Sequence, residues 1–280
     1  MQKSEDMQFE ALLKLPMLSS PQNQRVKDYV DLRSDGNVRR ERQSFLLEGR
    51  RAVASALAMP RARILEVIFS EHILGADLGL VQKARERNVE LVRVSKDVYK
   101  KIADVMAPQG IAAVVQIPQW KDADVFAVQD ALIVAACGLQ DPGNLGTLIR
   151  SCEAAGAAGL VILEGSIDPF NAKVVRATAA GLLALPILRM KTDDFLKTAA
   201  RSKARLAATA ARGGTPFKTF DWARRPLVLC IGNEGSGLPA EIEIACSEKI
   251  TIPMQGGAES LNAAVAASIL LFQATGDIRM

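Results

Sequence analysis

Residues 131–150 read ALIVAACGLQDPGNLGTLIR. Seven uncharged residues, Ala131 to Cys137, run without alternation into Gly138, the pattern of a strand covered on both faces in a parallel sheet. Three glycines and Pro142 then mark a turn, and from Leu145 the apolar positions adopt helical spacing. The stretch predicts a strand–turn–helix unit and an α/β fold. Reading outward toward the C-terminus, the rhythm continues. Strands are expected at Gly159–Leu163, Pro186–Arg189, Arg205–Thr209, Leu227–Gly232 and Lys249–Ile252. Helices are expected at Ala172–Gly181, Thr192–Ser202, Pro239–Cys246 and Leu261–Gln273.

Upstream, the segment 43–117 alternates in the same way and predicts a smaller α/β domain. Residues 1–42 form a polar extension with a short amphipathic helix at Asn23–Leu32. Residues 118–129, opening on Pro118, Gln119 and Trp120, interrupt the rhythm and are assigned as linker, which leaves 130–280 as the larger domain. Whole-chain composition, 49% hydrophobic and 24% charged, excludes disorder and charged low complexity. The longest uncharged stretch, Ser260–Gly276, contains Asn262, Ser268 and Gln273 and makes a poor membrane span, and the N-terminus lacks a signal-peptide pattern. A cytoplasmic location is expected.

Four scattered cysteines and one histidine, His72, give no metal-ligand spacing, so no metal is expected. The net charge of +4 comes from 35 basic and 31 acidic residues. It splits evenly: 20 against 18 up to residue 130, and 15 against 13 beyond. Nucleic-acid binding would therefore need a local patch. Arg39, Arg40, Arg42, Arg50 and Arg51 form the best candidate.

In open parallel sheets, ligands bind beyond the carboxyl ends of strands. Three turns qualify: 138–150, 232–238 (GNEGSGL) and 252–262 (IPMQGGAESLN). The first has Asn144 and Leu145 where a Walker A loop needs lysine and a hydroxyl residue. The second is spaced G-x-x-G-x-G, the wrong order for a dinucleotide fingerprint. In the first, Asn144 is expected to cap the helix that presents Arg150.

Taken together, DPGNLGTLIR (141–150), LCIGNEGSGL (229–238) and IPMQGGAESLNAAVA (252–266) resemble the three ordered motifs of the SpoU/TrmH RNA methyltransferases of the SPOUT superfamily. FLLEG (45–49) and PQGIAAV (108–114) resemble the substrate-binding domain of the same enzymes. The resemblance implies a SPOUT-type, mostly parallel sheet with a trefoil knot, preceded by a small RNA-binding α/β domain. It implies methylation of a ribose 2′-hydroxyl in ribosomal or transfer RNA, S-adenosylmethionine as cofactor, and a homodimer. By the motif match, Gly232, Ile252, Met254 and Leu261 fall at cofactor-contact positions. Asn144, Arg150, Glu234, Ser260 and Asn262 fall at catalytic or substrate-positioning ones. Arg39, Arg40, Arg50, Lys173 and Arg176 are the RNA-binding candidates.

A guanidinium has a pKa above about 12, so Arg150 is expected to bind phosphate and stabilise a developing alkoxide, oriented by Asn262 and Ser260, rather than to act as base. Two other readings remain: methylation of a base by the same fold, and a non-catalytic RNA-binding protein.

Overall fold

The computed structural model describes residues 11–12, 14–73, 76–178, 180–256 and 259–276. The first ten residues of the expected extension, and Gly257 and Ala258 of the third turn, lie outside them. The chain folds as two units, Met1–Pro118 with Phe170–Ala180, and Gln119–Pro169 with Gly181–Met280.

The first unit contains Met17–Leu18 (β1), Gln24–Ser34 (α1), Gly36–Arg42 (α2), Ser44–Glu48 (β2), Arg50–Ala58 (α3) and Ile64–Ser70 (β3). Ala76–Glu86 (α4), Glu90–Val94 (β4), Lys96–Ile102 (α5) and Ile111–Gln116 (β5) follow. Its sheet order is β1-β4-β3-β5-β2; β1, β4 and β3 run parallel, and β5 is antiparallel to both β3 and β2. Residues 23–42 belong to this core, because Val26, Tyr29 and Leu32 of α1 pack with Ile68, Val92 and Val114 of the sheet. Tyr29 donates to Glu66, and Arg25 reaches Glu90 at 2.5 Å, which ties the helix across β3 and β4.

Helix α2 carries little apolar signal. Its inward residue is Arg39, 3% exposed, which donates to the carbonyls of Leu32 (2.8 Å) and Arg33 (3.0 Å) at the end of α1. A residue used in this way cannot grip RNA, so the sequence-based assignment of Arg39 to RNA binding is corrected. From later in the chain, Ala172–Thr178 (α8) joins this unit: Phe170 packs on Phe45 with ring centroids 5.0 Å apart, and Arg176 pairs with Asp104 at 3.0 Å.

The second unit contains Asp122–Phe126 (α6), Leu132–Ala136 (β6), Pro142–Ala154 (α7), Gly159–Leu163 (β7), Ile187–Met190 (β8) and Thr192–Arg201 (α9). Arg205–Thr209 (β9), Thr215–Pro216 (β10), Leu227–Ile231 (β11), Ala240–Ala245 (α10), Glu248–Thr251 (β12) and Ala263–Ala274 (α11) complete it. All seven strands are parallel, in the order β10-β12-β9-β11-β6-β7-β8. The central strands read LIVAA, GLVIL and LVLCI and every residue in them is buried, which is why no alternation is visible in the sequence. Each large side chain buried there contributes about 2 kcal/mol of transfer free energy.

The stretch assigned as linker contains α6, whose Val125 and Phe126 enter the core of this unit. Five residues are too few to show helical periodicity. The chain leaves β6 toward β7 and β8 on one side, while its neighbour β11 belongs to the other side. Loops after β6 and β11 therefore meet at the switch point of the sheet. Among the described residues no helix is long and apolar enough to cross a membrane.

Candidate active site

The loop after β6 turns at Gly138, whose φ is +76°. Ser166 shapes it: its hydroxyl accepts from Gly138 N (3.0 Å) and Leu139 N (3.1 Å) and donates to the Ala136 carbonyl (3.1 Å). Helix α7 then starts from Asp141, whose carboxylate accepts from Asn144 N at 2.8 Å, with Pro142 in the first turn. The cap is thus Asp141, not Asn144 as the sequence suggested. One consequence is chemical: the Asn144 carboxamide is left for other partners.

After β11, Gly232 and Gly237 bring two backbone segments into contact. A Cβ on Gly232 would lie 2.5 Å from the carbonyl carbon of Gly237, so no other residue fits without moving the loop. Asn233 pairs with Gly237 through both backbone groups at 2.9 Å, and its side chain donates to Gly138 O (3.1 Å) and accepts from Gly235 N (2.9 Å). It locks the second loop to the first. The third loop ends at Asn262, which caps α11 by accepting from Ala264 N and Val265 N, both at 3.1 Å.

The other end of Asn262 closes the arrangement. Its amide donates to Asn144 Oδ1 (2.7 Å) and Glu234 Oε1 (2.6 Å), and Asn144 Nδ2 donates to the same Glu234 oxygen (2.9 Å). Glu234 Oε1 also accepts from Ala263 N (3.1 Å) at the start of α11, where a carboxylate favours the helix dipole. One side chain from each motif therefore meets at one carboxylate.

Beside this junction lies a cleft of about 190 Å³. Gly232, Glu234, Ile252, Met254, Ser260 and Leu261 all line it, which gathers the four cofactor candidates and two of the catalytic ones. Sequence reading missed Thr209, Ala210 and Ala211, which line the same cleft from the end of β9, and the loop-locking Asn233. The carboxyl-end rule for parallel strands could have found the first three.

Arg150 stands apart. It is exposed on α7, does not line the cleft, and has no side-chain hydrogen bond to another described residue. Asn262 does not orient it, since both ends of that carboxamide are engaged with Asn144, Glu234 and α11; this corrects the expected orientation.

The remaining candidates belong to the first unit. Arg40 is exposed and bonded to Asn37, Arg50 pairs with Asp77, Lys173 is exposed, and Arg176 is held by Asp104. The cysteines are free thiols, and burial pushes the Cys152 thiol well up.

A cofactor for this cleft has to suit main-chain edges of three loops, apolar walls at Ile231, Ile252, Leu261 and Leu270, and one charged lining residue, the acid Glu234. That lining suits a ligand with a flat heterocycle, a sugar and a positive centre, and among the described residues it holds no lysine or arginine to neutralise a polyphosphate. Among the described residues no group of three or more His, Cys, Asp or Glu could hold a metal ion.

Comparison with known proteins agrees with the motif reading. The SpoU rRNA Methylase family profile matches residues 131–272, and the MRM3-like substrate binding domain profile matches 23–113. The chain is 30% identical over 262 residues to the 23S rRNA (guanosine(2553)-2′-O)-methyltransferase RlmP of Bacillus subtilis, covering 94% of this chain and all of that one. It is also 30% identical to the 23S rRNA (uridine(2479)-2′-O)-methyltransferase of Streptomyces viridochromogenes, covering 90% and 89%. The AdoMet-bound rRNA methyltransferase of Sinorhizobium meliloti superposes with a TM-score of 0.82 at 32% identity, over 92% of this chain and 97% of that one. The three loops, their shared carboxylate and these matches lead to one conclusion: the chain belongs to the SpoU rRNA methylase family.

Proposed function

We propose that this protein transfers a methyl group from S-adenosylmethionine to a ribose 2′-hydroxyl of ribosomal RNA. The observation that carries the reading is the meeting of Asn144, Glu234 and Asn262, one from each motif, at the mouth of the cleft that Gly232 and Leu261 line. Relatives of nearly full length carry 2′-O-methylation in their names, and a neighbour of 0.82 TM-score has AdoMet bound.

The cofactor supplies an electrophilic methyl on a sulfonium. Gly232, Ile252, Met254 and Leu261 would hold it, and Glu234 would face its positive charge. The chain then has to align a ribose oxygen and exclude water, effects that can supply several kcal/mol without a metal. Asn144 and Asn262 keep the carboxylate fixed; Ser260, exposed at the rim, is placed to contact the sugar. Arg150, whose guanidinium has no hydrogen-bond partner among the described residues, would bind the phosphate beside the target and stabilise the developing alkoxide. We place the enzyme in the cytoplasm as a homodimer, with the C-terminal segment threaded as the family resemblance implies.

The test is methyl transfer from labelled S-adenosylmethionine to ribosomal RNA, followed by nuclease digestion and mass spectrometry of the nucleosides. A 2′-O-methylnucleoside is expected. A base-methylated nucleoside would move the chemistry off the ribose, and no transfer with no cofactor binding would leave only RNA binding. Arg150→Lys should lower turnover at saturating RNA at least tenfold; near-full turnover would exclude the bidentate role.

A further inference from the structure

The first unit contains a pocket of about 420 Å³ that the methyl-transfer reading does not use. Arg50, His72, Lys96, Lys100, Asp77 and Gln109 line it. Its size falls in the range of about 300–1,000 Å³ typical of small-molecule sites. Three fixed cations face one acid, and that acid is committed. Asp77 is 5% exposed and pairs with the Arg50 guanidinium: Oδ2 accepts from Nη2 at 2.7 Å, while Oδ1 lies against Nε as an ion-pair contact and has no hydrogen-bond partner among the described residues.

A buried carboxylate needs a partner, but a partner can be buried with it. Here the arginine stays more than half exposed, so the buried anion acts as a mount. It fixes the guanidinium plane and leaves the remaining N–H groups for a second anion. The backbone is fixed as well, because Gln109 Oε1 accepts from Arg50 N at 2.8 Å. Lys96 and Lys100, four apart on α5, present exposed ammonium groups with no carboxylate partner among the described residues. Glu71, next to His72, is engaged with Lys96 N at 2.9 Å. Pro108 and Ile73 supply apolar wall.

We propose that this pocket grips one nucleoside 5′-phosphate unit of the RNA, with phosphate on Arg50, Lys96 and Lys100 and the base against Pro108 and Gln109. Asp77 is a positioning residue for Arg50. The proposal rests on the RNA methyltransferase reading and names where the first unit holds the substrate.

Steady-state methylation of a ribosomal RNA fragment, at several salt concentrations, tests it with the full-length protein. Arg50→Ala should raise KM for RNA about tenfold and reduce the slope of log KM against log salt by about one, with kcat and the dissociation constant for S-adenosylmethionine unchanged. The Lys96→Ala/Lys100→Ala variant changes only exposed side chains and should raise KM and reduce the slope in the same way. Asp77→Asn separates positioning from bulk charge. It adds net positive charge, so non-specific attraction would tighten RNA binding, whereas loss of the mount weakens it with little change in slope.

A KM within twofold of wild type for both cation variants, or tighter binding by Asp77→Asn, overturns the proposal. Titration with uridine 5′-monophosphate settles the source of the nucleotide. Weak competition with RNA, lost in Arg50→Ala, supports the RNA-borne unit. Tight binding that is lost in Arg50→Ala while KM for RNA stays constant assigns the pocket to a free nucleotide and overturns it. If the wild type methylates no RNA, the methyltransferase reading fails; if it methylates and the variants match it, only this pocket's role fails.

Discussion

The two loop clusters of this protein are built on opposite principles. In the second unit the cleft is made of backbone: Gly232 against Gly237, with Asn144, Glu234 and Asn262 as a neutral-to-anionic clasp. In the first unit the pocket is made of long charged side chains, and its shape depends on one buried anion, Asp77. A backbone-built site tolerates almost no change at its contact points and, with one charged lining residue among those described, depends less on salt. A charge-built site weakens as salt rises.

The comparison is most easily broken at Gly232. A methyl group there meets backbone on three atoms between 2.5 and 2.7 Å away, so Gly232→Ala must open the loop. Overpacking of about 1–3 kcal/mol falls on the cofactor-binding conformation, which corresponds to a loss of affinity of roughly five- to more than a hundredfold. Calorimetry with S-adenosylmethionine checks this; unchanged affinity would mean that the second loop does not wall the cofactor.

Asn262 comes next, since it does two jobs that two substitutions separate. Asn262→Ala removes both the cap on α11 and the clasp, and should cost about 1 kcal/mol of stability from the cap alone. Asn262→Ser keeps an N-cap oxygen but loses the amide that reaches Asn144 and Glu234. It should unfold in denaturant close to wild type while kcat falls as far as in the alanine variant. If serine restores turnover as well, the clasp has no catalytic consequence.

Two arginines sharpen the contrast within the first unit. Arg39 and Arg50 look alike in a charge count, but one is buried on carbonyls and the other is mounted on Asp77 facing outward. Arg39→Ala should lower stability by about 1–3 kcal/mol, because the Leu32 and Arg33 carbonyls lose their donor, and leave KM for RNA in place. A variant of Arg39 with normal stability and weakened RNA binding would reverse the assignment.

These cases also show what was legible in the sequence. The parallel sheet was readable because LIVAA, GLVIL and LVLCI are each buried on both faces, so a local pattern carries the layer. The cleft was readable because each loop brings its own glycine or asparagine in a short ordered motif. The pocket of the first unit was not, because Arg50, Asp77, Lys96 and Gln109 lie 59 residues apart from first to last and no local pattern links them. The helix at Gly36–Arg42 escaped for a related reason: its inward face is an arginine, whose burial depends on carbonyls supplied by another helix. The helix Asp122–Phe126 was too short to declare a period.

The smallest expected effect concerns Glu48, at the end of β2. Burial pushes its carboxyl above the ordinary value of 4.5, against the Asp104 backbone donor (3.0 Å to Oε2) and the Arg176 charge that favour the anion. Its Oε1 is buried without a hydrogen-bond partner among the described residues. A carboxyl whose folded-state pKa is raised binds its proton more tightly when folded than when unfolded. Its contribution to stability is therefore complete below about pH 4.5 and is lost as pH rises through the folded-state value. Glu48→Gln keeps an acceptor for Asp104 N and cannot ionise, so it should flatten that part of the stability–pH curve and be more stable than wild type near neutrality. Denaturant melts between pH 4 and 8 measure the difference, and a variant whose curve declines in parallel with wild type would show that Glu48 is not the group that titrates.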